Sequence, residues 1–170
     1  MIVNCMPWML DVDVSGTKKI YDKRCFTENT KDNQFLFDVL GYKEKKFFMD
    51  LGIDLHKIYV STNKLEIPND KGIRIRNRII SADFFMKGSF LQIPTWQKEL
   101  YRNEEILEID SEYMSMKDCN EDLKVFVLGK MSSCMTFKPL YSRVEKYKLK
   151  VWKPGYISGK LILIQEIDGE

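Results

Sequence analysis

The chain has a single histidine, His56. A Ser-His-carboxylate triad therefore has one candidate base, and no Gly-x-Ser-x-Gly elbow surrounds any serine. Glycine-rich phosphate loops are missing: neither GxGxxG nor GxxxxGK[ST] occurs. No Cys-x-x-Cys pair exists to hold a metal. Apolar runs stop well short of the ~18–20 residues that span a bilayer. The opening Met1–Leu10 is apolar but has no leading Lys or Arg and meets Asp11 and Asp13 at once, so an export signal is not expected. Nine glycines and five prolines are too few for a collagenous or low-complexity chain.

What is present is a globular composition. The chain has 170 residues, 44% of them hydrophobic and 12% aromatic, enough to bury a core in one domain of the usual ~100–150 residues. One domain, residues 1–170, is expected. Cys5, Cys25, Cys119 and Cys134, in a chain of this size with no export signal, read as reduced thiols of an intracellular, cytoplasmic protein. No cofactor, metal or membrane association is expected.

Residues 1–14 read as one half-buried N-terminal strand, with Val12 and Val14 alternating with the aspartates. Thr30 or Asp32 caps a helix whose Phe35, Leu36, Val39 and Leu40 recur at helical spacing, with Gly41 at its end. A second helix, Lys43 to Leu51, gathers Phe47, Phe48 and Leu51 and stops at Gly52 as its C′ residue. Short strands are predicted at 56–60 and 64–67, followed by the turn cluster Pro68-Asn-Asp-Lys-Gly72 and a strand over 72–80. A third helix is predicted from Ile93 to about Asn103, nucleated by Pro94. Beyond Leu123 the pattern is strand: 124–128, 134–137, 144–152 and 156–167, the last two joined through Lys153-Pro154-Gly155, with Gly159 a candidate bulge. The expectation is a single α+β domain: a mainly antiparallel sheet of about five to seven strands with two or three helices packed on one face.

Charge is distributed unevenly. The 27 basic and 25 acidic residues nearly cancel, but residues 1–98 carry a net +4, 99–122 a net −7 and 123–170 a net +5. Alternation sharpens the pattern, because successive strand residues point to opposite faces. Arg74, Arg76 and Arg78 share one face of 72–80, with Ile73, Ile75 and Ile79 opposite. Lys146, Lys148, Lys150 and Trp152 share one face of 144–152, with Tyr147, Leu149 and Val151 opposite. Each strand is expected to cover the core with its apolar face and to meet water with its cationic one. Cations two residues apart lie ~6.6–7 Å apart, close enough that something of opposite charge should face them.

That opposing charge has several sources. The acidic segment can fold back over the cations as ordinary surface pairing, through Glu104, Glu105, Glu108 and Asp110. The cations can also simply guard an edge against aggregation. The third source is an external partner, with arginine suited to bidentate contact and Trp152, Tyr141 or Tyr156 adding aromatic area. Glu104, Glu105 and Glu108 would form a second surface seeking a basic partner. Asp118-Cys-Asn-Glu-Asp122 has oxygens at alternate positions, but Leu123 and Gly129 stand where a calcium loop needs its glycine and glutamate. His56, flanked by Leu55, Ile58 and Tyr59, reads as a hydrogen-bonded structural imidazole. The expected function is that of a non-catalytic binding protein, of inhibitor, immunity or adaptor type, engaging a charged macromolecule that is another protein. The alternative is a nucleic-acid binder using a cationic, aromatic-bearing sheet face.

Overall fold

A computed structural model describes residues 1–23, 31–68, 71–94, 131–139 and 155–167. Among these are six strands and three helices: β1 (Ile2–Cys5), β2 (Trp8–Val12), α1 (Val14–Lys23), α2 (Lys31–Val39), α3 (Tyr42–Asp50), β3 (Tyr59–Pro68), β4 (Arg74–Gln92), β5 (Ser132–Pro139) and β6 (Tyr156–Glu166). All strand pairings are antiparallel, in the order β1-β2-β4-β6-β5, with β3 beside the first half of β4. The architecture is the expected α+β arrangement. The predicted third helix and the strands over 124–128 and 144–152 lie outside the described residues.

The N-terminus differs from a single strand. Residues 1–12 form a hairpin that turns at a cis Met6–Pro7 peptide. Asp13 then starts a helix: its carboxylate accepts the Gly16 N–H at 2.8 Å, filling one of the donors a helix start leaves open. Val14 is therefore the first helical residue, not the last of a strand. Asp13's carboxyl is held below its ordinary value by that Gly16 bond and by Lys87, 3.2 Å from it.

The later helices follow the sequence closely. α3 ends as predicted at Gly52, whose φ of 78° only glycine adopts cheaply. The Gly52 N–H bonds Met49 O at 2.9 Å and the Ile53 N–H bonds Phe48 O at 2.9 Å, the paired bonds of a Schellman ending. The Phe48 ring, fully buried, meets Phe84 of β4 edge-on at 5.2 Å.

That contact begins an aromatic chain through the core. Phe84 meets Phe137 of β5 at 6.2 Å, and Phe137 meets Trp8 of β2 at 5.8 Å. On a flat sheet β2 and β5 would stand three strand spacings apart, ~14 Å. The sheet is therefore curled, with its aromatic face concave and the helices packed against it. Gly159 makes room for this chain. It lies between Phe84 and Phe137 in an unbroken register, and a Cβ there would run into the Phe84 ring. Gly159 is thus a packing glycine, not a bulge; among the described pairings the register shifts only between Met9 and Leu10.

Candidate macromolecular-binding surface

The centre of the fold is β4, which is 19 residues long. One edge pairs with β6 over Asn77–Lys87. The other pairs with β3 through Asp83 and with β2 from Gly88 onward, so among the described residues no strand lies beside 84–87 on that edge. Side chains of α1 fill the gap. The Tyr21 hydroxyl donates to Phe85 O and accepts the Phe85 N–H, both at 3.0 Å. Thr17 Oγ1 accepts the Lys87 N–H at 3.0 Å and donates to Asp13 O at 2.9 Å. Two side chains one helical turn apart thus satisfy backbone groups as a neighbouring strand would. This locks α1 to the strand that carries the arginines.

Arg74, Arg76 and Arg78 do share one face of β4, but it is not the face opposite the core. The same alternation continues as Ile80, Ala82, Phe84 and Met86, each no more than 1% exposed, and these are the floor of the core. Ile73, Ile75 and Ile79 lie on the convex side, where Ile79 is buried and Ile73 is exposed. The expectation that the isoleucines cover the core therefore fails for this strand. The arginine face is the core face continued past the described helices. Arg78 marks the border: half-buried, its guanidinium carbon lies 4.8 Å over the Phe35 ring of α2. Such a stack is worth ~0.5–1 kcal/mol at an accessible site.

Past this border, among the described residues, the β3–β4 pair runs on with only Ile167 still beside it, its N–H donating to Arg76 O at 2.9 Å. β6 ends opposite Asn77, while β3 and β4 stay paired to Pro68 and Arg74. Arg74 and Arg76 are exposed on this two-stranded ribbon, with Lys64 and Glu66 beside them from β3. Lys64 lies directly across from Arg78 and Glu66 across from Arg76. Arg76 Nε approaches Glu66 Oε1 at 3.7 Å, in a pair whose side chains are 63% and 52% exposed. An exposed pair of that kind is worth ~0–1 kcal/mol and yields easily to a competing anion. Among the described residues the ribbon face therefore carries four cations against one carboxylate. Its other face carries Leu65, Ile67, Ile73 and Ile75.

Lys146, Lys148, Lys150 and Trp152, and the acidic Glu104, Glu105 and Glu108, lie outside the described residues. Phe35, Lys64 and Glu66 complete the ribbon face and were not among the sequence candidates. Lys64 and Glu66 could have been found from the Pro68–Gly72 turn, since a hairpin there places them opposite the arginines. His56 lies in the turn before β3, stacked on Phe37 at 4.5 Å. Its backbone N–H bonds Asp54 Oδ1 at 3.0 Å, but its ring Nδ1 is buried without a hydrogen-bond partner. The expected hydrogen bond at that ring nitrogen is absent. Among the described residues no three His, Cys, Asp or Glu side chains gather as a metal site. No described helix is long and apolar enough to cross a membrane. No family model, curated protein or solved structure matches the chain.

Proposed function

We propose that this protein is a non-catalytic binding module, of adaptor or inhibitor type, that engages an acidic protein partner through the basic face of the β3–β4 ribbon. One observation carries the reading: Arg74, Arg76 and Arg78 leave the core face of β4 together, on a ribbon whose described residues offer them Glu66 alone as a counter-charge. Two further features support it. The ribbon's β4 is continuous with the central strand of the sheet, so its cations are held at fixed spacing, and arginine's planar donors match carboxylate geometry. The Phe35 stack pre-orders Arg78, which lowers the entropy lost on binding.

The test is fluorescence anisotropy of the full chain against a labelled, glutamate-rich peptide and against a mixed-sequence DNA single strand, over a range of salt. The peptide is expected to bind, and the double charge reversal R74E/R76E to weaken it by at least ~tenfold, a loss of about 1.4 kcal/mol. Equal affinity of the native and reversed proteins for the peptide would refute the proposal. Binding of the DNA alone, falling log-linearly with salt as counterions are released, would assign the ribbon to nucleic acid instead.

A further inference from the structure

We propose that the outer edge of β3 receives an extended strand of the acidic partner, adding it to the sheet beside the arginines; this rests on the ribbon being the docking surface. The backbone directions of β4 fix which groups of β3 face outward. The N–H and C=O of Phe85 face α1 and the C=O of Lys87 accepts the Asp13 N–H on the β2 side. The Gly88 N–H and the Arg76 C=O point the other way, to Gly155 and Ile167 at the two ends of β6. Odd-numbered residues of β4 thus bond toward β3 and even-numbered ones toward β6.

In an antiparallel ladder, directly opposed residues either exchange both hydrogen bonds or none. Tyr59, Ser61, Asn63, Leu65 and Ile67 oppose odd-numbered residues of β4, so their backbone groups are spent inward. Val60, Thr62, Lys64 and Glu66 turn theirs to the outer edge. Among the described residues no strand pairs with that edge. Its two ends are closed: Asn33 of α2 donates to Ile58 O at 2.9 Å before the strand begins, and Pro68 brings no N–H at its end. Between them lies an edge with one guarding lysine, the kind that accepts an added strand.

Charge and polarity choose the occupant. An antiparallel newcomer bonds through residues opposite Thr62, Lys64 and Glu66, and their side chains rise on the basic face. Carboxylates there meet Lys64 directly, with Arg76 and Arg78 one strand behind and Glu66 already engaged by Arg76. The alternate residues lie on the face of Ser61, Asn63, Leu65 and Ile67, which carries no charge and turns apolar toward the ribbon tip. The fitting partner is an extended segment with acidic residues at every second position and β-branched apolar residues between.

The probe is a capped, labelled decapeptide alternating glutamate and valine, titrated by anisotropy against the full chain. Two variants carry backbone N-methyl groups, one on every glutamate and one on every valine. Methylation at glutamate removes the donors that face β3, and loss of even two such bonds weakens binding by more than ~tenfold. Methylation at valine is expected to leave affinity within about threefold, since those groups face away. Equal binding of all three peptides, or equal loss with both methylations, would overturn edge pairing. If that happens while R74E/R76E still weakens binding by at least ~tenfold, the ribbon remains the docking surface; if R74E/R76E binds as the native protein does, both readings fall together.

Discussion

Replacing Tyr21 by phenylalanine removes one oxygen atom and little else, and it tests the joint between α1 and β4. The hydroxyl serves both the N–H and the C=O of Phe85 at 3.0 Å, and Tyr21 is 1% exposed. Without it, two backbone groups face a ring edge in a gap that no described strand covers. A buried group left unpaired costs ~1–3 kcal/mol; about 2 is taken for the N–H and up to ~1 for the C=O, which tolerates neglect better. The expected loss is about 2–3 kcal/mol. That corresponds to ~4–12 °C in Tm for a chain of this size. In urea it is about 1–1.5 M in midpoint at unchanged slope, taking a slope of ~2 kcal/mol per M. The phenol also leaves a signature in alkali. Burial, opposed only in part by the Phe85 hydrogen bond, pushes its titration well above the ordinary value. Below about pH 10 neither folded nor unfolded chain ionises it and it contributes no slope. Above that pH the unfolded chain releases a proton that the folded chain keeps, so stability falls as pH rises, by up to ~1.4 kcal/mol per unit. The Y21F protein is expected to lack that share of the alkaline decline. A midpoint shift equivalent to less than ~0.5 kcal/mol, with unchanged alkaline behaviour, would refute the bridging role.

Gly159→Ala is expected to destabilise by about 1–3 kcal/mol, because its Cβ would run into the Phe84 ring in the middle of the aromatic chain; calorimetry checks it, and a neutral result would show that the chain can shift. Asn33 is fully buried and its amide donates to Leu55 O at 3.2 Å and Ile58 O at 2.9 Å, so Asn33→Ala should cost ~2–4 kcal/mol by denaturant titration and free the start of β3 to faster amide exchange. Burial pushes the Cys5 thiol up to about 11. Iodoacetamide at pH 8 is therefore expected to modify Cys5 only after unfolding, as peptide mass mapping with and without denaturant would show.

Local chemistry made much of the fold readable in advance. α2 and α3 follow from apolar residues at helical spacing, and the end of α3 from a glycine where a left-handed residue is needed. The antiparallel pairing of β3 with β4 follows from the Pro-Asn-Asp-Lys-Gly cluster between them, and β6 from a long run of strand-forming residues ending in Glu166. Other elements were masked by rival signals. Val12 and Val14 alternate like a strand, while the Asp13 cap that starts α1 looks like part of that alternation. Ser61, Thr62 and Asn63 read as a break, yet they run through the middle of β3, where cross-strand partners Ser81, Ile80 and Ile79 hold them extended.

Parity along β4 was a property of the chain, because a strand turns successive side chains to opposite sides wherever it sits. Arg74, Arg76 and Arg78 were bound to emerge together. Which side became interior was not, since even-numbered positions are cationic before Ile80 and mostly apolar after it, while odd-numbered ones are mostly apolar before it and mixed after it, with Ser81, Asp83 and Lys87. Only the docking of α3, whose Phe48 packs on Phe84, and of α2, whose Phe35 stacks on Arg78, turned one stretch of a single face into core and left the next as an exposed basic ribbon. The stitching of Phe85 and Lys87 to Tyr21 and Thr17 is of the same kind: it joins residues more than 60 positions apart, and hydrogen bonds at that range are chosen by how elements dock, which no local pattern encodes.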